Sequence, residues 1–146
     1  MANYYPPVGF YFRVTFSGIS DQDLDTRFQS VSGLTLNMQT ESIKEGGENR
    51  FEHHLPLRSS YQNLILKRGF VVGSRIIDWC MDTLENLVVE PADILVELLN
   101  NEGEALHSWN VVHAWPIKWS VSDFNAENNS VVIETLELNY QYFTSD

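Results

Sequence analysis

Hydrophobic and polar residues alternate along most of the chain. In residues 9–17, Phe12, Val14 and Phe16 alternate with Arg13 and Thr15. A repeat of two residues predicts a strand that turns one face towards a core. The same pattern predicts further strands over residues 31–43, 50–57, 63–68, 94–100, 105–113, 117–121 and 131–143.

Two turn-like stretches separate pairs of these strands. Residues 44–49 (KEGGEN) and 101–104 (NEGE) are rich in charge and in glycine or asparagine. Such clusters are typical of turns between strands. The first stretch therefore predicts a hairpin between residues 31–43 and residues 50–57.

One segment has helical rather than strand spacing. Ser74 is a suitable N-cap, Asn86 is a plausible last residue, and Pro91 blocks further extension. We expect a helix of about a dozen residues with one apolar side that packs on a sheet. That side is formed by Ile76, Ile77, Cys80, Met81 and Leu84.

Together these elements predict a mainly β fold, an antiparallel β-barrel or sandwich with one α-helix. The first and last strands are long, and on one face neither Pro nor Lys protects them strongly. Open strand edges favour pairing with other chains, although closure into a barrel also removes them. The pattern alone therefore leaves self-association open.

Length and composition fit one globular domain. The chain has 146 residues, 43% of them hydrophobic, and we expect residues 1–146 to form a single domain with its own core. Cys80 is the only cysteine, so an internal disulfide is excluded, and we interpret it as a small buried hydrophobic residue. No signal peptide or long apolar run is evident, so we expect the protein to fold in the cytoplasm.

The formal net charge is −11, and the nine Lys and Arg residues are scattered. Nucleic-acid binders generally carry a basic patch, so tight nonspecific binding to nucleic acid is not expected. The sequence does not indicate which surface carries the acidity.

Candidate catalytic and metal-binding residues are few, and we expect neither an enzyme nor a bound cofactor. His107 and His113 would face the same side of one strand, but no third metal ligand is evident. A second hypothesis is a carbohydrate-binding β-module that uses Trp109, Trp115 and Trp119, although tryptophans on strands more often belong to cores or interfaces.

Three groups of segments resemble the phage tail-tube family of contractile-tailed phages and extracellular contractile injection systems. The first comprises residues 5–14 (YPPVGFYFRV) and 28–34 (FQSVSGL). The second comprises residues 45–49 (EGGEN), 55–56 (LP) and 63–69 (NLILKRG). The third comprises residues 114–119 (AWPIKW) and 134–138 (ETLEL). The resemblance spans nearly the whole chain in the family's order.

This resemblance implies a β-barrel with a flanking helix, similar to the haemolysin-coregulated tube protein of type VI secretion. It implies hexameric rings that stack into a hollow inner tube, surrounded by a contractile sheath and ending at baseplate, spike and tube-terminating proteins. Sheath contraction drives such tubes through a target envelope, and they conduct protein effectors or, in phages, DNA. The particle would act outside the cell or anchored to it.

Combined with the alternation, the resemblance gives a hypothesis for the tube lumen. The polar faces of the strands would line it, and the opposite faces, with Phe12, Val14, Leu36, Met38, Leu138 and Tyr140, would fill the subunit core. The lumen-facing set would be Arg13, Thr15, Thr35, Asn37, Gln39, Glu137, Asn139 and Gln141.

The charged turn after residue 43 gives a hypothesis for ring stacking. It would protrude and pair its mixed charges with the neighbouring ring. Its members are Lys44, Glu45, Gly46, Gly47, Glu48, Asn49, Arg50 and Glu52.

Overall fold

The computed structural model describes residues 11–20, 23–44, 52–122 and 132–146. Within these ranges the chain forms ten strands and two helices. In chain order they are β1 (Tyr11–Phe16), α1 (Asp23–Thr26), β2 (Arg27–Phe28), β3 (Ser30–Ser32), β4 (Leu36–Lys44), β5 (Glu52–Tyr61), β6 (Leu64–Gly69), α2 (Arg75–Asn86), β7 (Ala92–Leu99), β8 (Ala105–Val121), β9 (Ile133–Asn139) and β10 (Tyr142–Ser145).

Eight of the strands form one antiparallel sheet that curves round on itself, with no ladder among the described residues between its end strands. The strand order is β2-β1-β7-β8-β9-β6-β3, and β10 also pairs with β8. The two ends of this path, β2 and β3, are separated along the chain by Gln29 alone, whose backbone N–H donates to the Lys67 carbonyl. The sheet is therefore a barrel, and the mainly β class predicted from the alternation is confirmed.

The long strand β8 belongs to both walls of this barrel. Its first part pairs with β7 up to Ala114, and its second part pairs with β9 from Trp115 to Val121. His113, with φ 54°, and a register shift after Pro116 mark the change of partner. We call β2, β1, β7, the first part of β8 and β10 the β1–β7 wall. The second part of β8, β9, β6 and β3 form the β6–β9 wall.

The hydrophobic core lies between these two walls. Val14 and Phe16 enter it from β1, Leu64 and Leu66 from β6, and Leu136 and Leu138 from β9; each is at most 2% exposed. Alternating residues of the same strands point away from the core, so the outer faces of the two walls point in different directions.

Helix α2 is the helix that the sequence predicts, with the same limits. Ser74 caps it by accepting a hydrogen bond from the Ile77 backbone N–H, 3.3 Å away. Cys80 is fully buried, which confirms its interpretation as a core residue, and burial raises the pKa of its thiol to about 12. The prediction missed Trp79, which is 5% exposed, whereas Leu84 is 36% exposed.

Strands β4 and β5 form a separate two-stranded sheet that we call the arm. The arm continues the β3–β6 ladder: Ser32 pairs with Ile65, and after a short interruption Leu36 pairs with Tyr61 in the same register. The predicted strand over residues 31–43 is therefore divided at residues 33–35. The predicted strand over residues 131–143 is divided in the same way, between β9 and β10, and again the register is kept, since Asn139 pairs with Trp115 and Tyr142 with Val112.

Other limits also differ from the prediction. β5 extends to Tyr61, and β8 is a single strand where two had been predicted. The short elements α1 and β2 were not predicted, because a four-residue helix and a two-residue strand leave too little periodicity to detect. No helix in the described ranges is long and apolar enough to cross a membrane.

Candidate assembly surfaces

The root of the arm is fixed tightly to the barrel. A Cβ atom on Gly33, whose φ is +92°, would lie 1.9 Å from the Asn63 carbonyl oxygen, so only glycine fits this position. The Tyr140 hydroxyl donates to the Gly33 carbonyl at 3.3 Å. Burial, together with the nearby Tyr61, raises the pKa of Tyr140 to about 12.

Two aromatic rings of the barrel pack against a third ring at the root of the arm. Tyr61, at the end of the arm, lies 5.8 Å from Tyr140 and 5.2 Å from Phe143 between ring centroids, both in edge-on geometry. Edge-on aromatic pairs each contribute roughly 0.5–1.5 kcal/mol beyond the area that they bury. The direction in which the arm leaves the barrel is therefore set by packing.

The arm exposes apolar side chains. Leu36 is 55% exposed and Met38 is 63% exposed, so their predicted place in the subunit core is wrong. The other core predictions hold: Val14, Leu138 and Tyr140 are buried, and Phe12 packs against the core. The alternation was real, but this part of the strand extends beyond the barrel, where the described residues leave Leu36 and Met38 largely uncovered.

Two members of the predicted stacking loop lie at the end of the arm. Lys44 ends β4 and Glu52 begins β5, and the two residues are paired in the ladder. The remaining members, Glu45, Gly46, Gly47, Glu48, Asn49 and Arg50, lie outside the described residues.

The outer face of the β6–β9 wall is mainly polar and contains a shallow depression of about 200 Å³. Its rows follow from the strand register: Ser30, Lys67, Thr135 and Ser120 form one row, and Ser32, Ile65, Glu137 and Lys118 form the next. These residues are exposed or half-buried. Asn139 extends this face and donates to the Asn63 side chain at 3.3 Å.

The structure does not bring the predicted lumen residues together. Glu137 and Asn139 lie on the β6–β9 wall, whereas Arg13 and Thr15 lie on β1 in the other wall. The inward neighbours of both pairs meet in one core, so their outward side chains point to opposite sides of the barrel. Arg13 also forms a salt bridge with Glu97, with 3.0 Å between Nε and Oε1.

The other predicted lumen residues lie at or near the arm. Asn37 is exposed on β4, Thr35 is half-buried at the root, and Gln141 is exposed between β9 and β10. Gln39 belongs to β4, and its side chain lies outside the described residues.

A buried ionic cluster lies beneath the β6–β9 wall and was not predicted. Arg68 Nε donates to Glu134 at 2.8 Å, Arg68 Nη1 donates to Asp25 Oδ1 at 2.9 Å, and Nη2 donates to Ser74 at 2.8 Å. The Ser74 hydroxyl donates to Asp25, and Trp119 Nε1 donates to the second oxygen of Glu134 at 2.9 Å. The cluster joins α1, β6, α2, β8 and β9.

The electrostatics of the cluster favour the ionised form of Asp25. Burial alone would raise the pKa of Asp25, but the Ser74 hydrogen bond and the Arg68 charge outweigh this effect and lower that pKa. Asp25 also accepts from the Arg75 backbone N–H at 3.1 Å, so it anchors the first turn of α2. One guanidinium thus contacts two carboxyl groups, those of Asp25 beside the start of α2 and of Glu134 on β9.

Most of the net charge is concentrated in one segment. Residues 76–117 contain no Lys or Arg and have eight acidic residues, Asp78, Asp82, Glu85, Glu90, Asp93, Glu97, Glu102 and Glu104. This segment forms α2, β7 and most of β8. By contrast, the outer face of the β6–β9 wall has two lysines and one glutamate, so most of the acidity lies outside this face.

The histidine and tryptophan candidates have structural partners. His107 Nε2 lies 2.6 Å from the Ser145 hydroxyl and packs edge-on against Trp109. Trp109 and Trp119 are half-buried and pack against the core, which is the role that tryptophans on strands more often have. His113 is exposed at the bend of β8.

Comparison with known proteins identifies the family. The family model of the T4-like virus tail tube protein gp19 matches residues 8–144. The chain belongs to this family. It is a structural subunit of a tube, and membership implies a structural rather than an enzymatic role.

Solved structures agree with this tail-tube assignment. A chain from the 6-fold symmetrised cryo-EM structure of the anti-feeding prophage baseplate is 29% identical with a TM-score of 0.84, and the match covers 100% of this chain and 97% of that chain. A chain from the cryo-EM structure of an extracellular contractile injection system, the PVC sheath-tube complex in the extended state, is 28% identical with a TM-score of 0.75 over 98% and 92% of the two chains.

A more distant similarity concerns the fold alone. Hcp1 from Salmonella typhimurium is 15% identical, with a TM-score of 0.59 over 94% of this chain and 86% of that chain. Among curated protein sequences, none matches the tail-tube chain significantly.

Proposed function

We propose that copies of this chain close into hexameric rings that stack into the hollow inner tube of a phage-tail-like contractile injection system, with residues 1–146 as a single tail-tube domain. The family match over residues 8–144 carries this proposal. The similar chains from a 6-fold symmetrised baseplate and from a sheath-tube complex support the ring symmetry and the particle type.

Rings close by joining the β6–β9 walls of neighbouring subunits edge to edge. The edges of this wall are β3 and the second part of β8, and among the described residues each of them has a ladder partner on one side only. Pairing between copies satisfies the open N–H and C=O groups and forms a continuous β wall.

The outer face of the β6–β9 wall lines the lumen. A channel that lets cargo slide needs a wetted polar wall, and this face is mainly polar, with Thr135, Glu137, Asn139, Lys67 and Lys118 around a half-buried Ile65. In this arrangement Arg13 and Thr15 belong to the outside of the tube. The cargo is a protein effector in an injection system and DNA in a phage tail.

The acidic segment, residues 76–117, faces outward and meets the sheath, where complementary charge guides docking. Baseplate and tube-terminating proteins contact the two ends of the tube. Assembly takes place in the cytoplasm, and the finished particle acts outside the cell. The related structures of a baseplate and of a sheath/tube terminator support these partners.

Electron microscopy of the purified protein tests the proposal. We expect end views with six-fold rings around an open channel, and side views of tubes with a regular axial repeat. Particles without a channel, or rings with another number of subunits, would overturn it.

A further inference from the structure

Two exposed apolar surfaces lie at opposite ends of strand β6. The arm, with Leu36 and Met38, joins the barrel just before Leu64. The segment that follows Gly69 exposes Phe70 and Val72, which are 47% and 87% exposed. Six strand residues separate the two surfaces, a distance of about 20 Å at 3.3 Å per residue.

The second surface contains a groove that we call the α2 groove. It lies between the segment before α2, the first turns of α2 and strand β8, and it has a volume of about 290 Å³. Its apolar lining is formed by Phe70, Val71, Val72, Ile77, Met81 and Trp119. Phe70 and Val72 of this lining are exposed, and an exposed apolar patch of this kind is typical of a surface that contacts another protein chain.

We propose that Leu36 and Met38 of one copy pack into the α2 groove of a copy in the adjacent ring. This inference rests on the proposed stacking of rings and names the surface that receives the arm. The contact is heterologous, because Leu36 and Met38 at one end of a subunit meet the α2 groove at the opposite end of the next subunit. Contacts of this kind repeat without closing and produce filaments.

The direction of β6 places this contact between rings. Within a ring, neighbouring β6–β9 walls meet at their edges, at right angles to the strands. A contact along the strand direction therefore reaches the next ring. The arm is continuous with the β3–β6 ladder of this wall, so it projects along the same direction.

The small size of the contact explains why stacking would require rings. A stable interface between two proteins buries roughly 1,200–2,000 Å², far more than a few apolar side chains supply. A ring presents the same contact from every subunit at once, and linked contacts gain strength from their high effective concentration. Isolated copies should therefore not pair through the arm.

A charge placed in the groove tests the proposal. We expect Val72→Asp to give normal rings that do not stack, seen as rings without tubes by electron microscopy. The matched control is Val89→Asp, since Val89 is also exposed, at 55%, but lies at the other end of α2. Normal tubes from Val72→Asp, or equal loss from both variants, would overturn the proposal.

Disulfide trapping gives a second and more direct test. Met38→Cys combined with Val72→Cys should crosslink in tubes, give products larger than one ring, and leave disassembled rings uncrosslinked. Cys80 can stay, because it is buried and the pKa of its thiol is raised to about 12. Crosslinking within isolated rings, or no crosslinking in tubes, would contradict the contact but leave the tube itself established. Absence of tubes from the unmodified protein would instead contradict the proposed function.

Discussion

The carbonyl oxygen of Asn63 occupies the space where a Cβ on Gly33 would lie, 1.9 Å from that position. Gly33 ends the barrel part of one strand and Asn63 precedes the barrel part of its partner. This close approach lets the β3–β6 ladder pass out of the barrel as the arm without losing its register. The arm is thus held to the barrel at a point where the backbone tolerates no side chain.

We expect Gly33→Ala to destabilise the protein more than Gly18→Ala. Both glycines have positive φ, at +92° and +77°, which costs a residue with a Cβ roughly 1–2 kcal/mol. At Gly18 no atom lies within 4 Å of the added Cβ, so Gly33 alone adds a steric clash with backbone. Denaturant unfolding at a fixed protein concentration measures the difference. Equal losses of unfolding free energy in the two variants would show that the close approach of Gly33 to Asn63 does not affect stability.

Replacement of the buried arginine should be costly. Arg68→Met leaves Asp25 and Glu134 buried without their cation, and breaking a buried ion pair in this way costs roughly 3–5 kcal/mol. The matched control is Arg13→Met, which removes a partly exposed pair and should cost about 0–1 kcal/mol. The same unfolding experiment compares them, and a small loss for Arg68→Met would refute a stabilising role for the cluster.

Helix α2 and the ionic cluster illustrate what the sequence could and could not predict. Strand alternation and the cap at Ser74 located most of the barrel strands and α2, because these depend on local spacing. The cluster had a signal that was overlooked: Arg68 lies in phase with Leu64 and Leu66, and Glu134 in phase with Leu136 and Leu138. A charge on the apolar face of each of two strands indicates a buried pair.

Other features depend on positions far apart in the chain. Alternation gives each strand two faces, but it does not indicate which wall of a barrel the strand joins. The lumen hypothesis therefore combines Arg13 and Glu137, which belong to opposite walls. Leu36 and Met38 were placed in the core because periodicity does not show where a strand leaves the barrel.

Low pH should destabilise the folded protein partly by protonating Asp25. Its pKa in the folded state is lowered from 3.8, so the ionised form stabilises the fold at pH values above 3.8, and this contribution is lost as the pH falls through the folded-state pKa. We expect the free energy of unfolding to fall more steeply below about pH 4 in the wild type than in Asp25→Asn. Urea unfolding between neutral pH and pH 3 measures both curves. Parallel curves would rule out this contribution.

Thiol labelling can determine which wall faces the lumen. In assembled tubes, Thr135→Cys should be protected from a maleimide carried on a polymer too bulky to enter the channel, whereas Thr15→Cys should react. Both variants should react after denaturation, and the buried Cys80 thiol gives little background before it. The reverse pattern would place the β1–β7 wall in the lumen.

Native mass spectrometry of the purified protein over a range of concentrations tests the central claim most directly. A chain that completes its β wall only with copies of itself should appear as closed hexamers and their multiples, with little free monomer. A monomer that persists alone at the highest concentration would contradict the account.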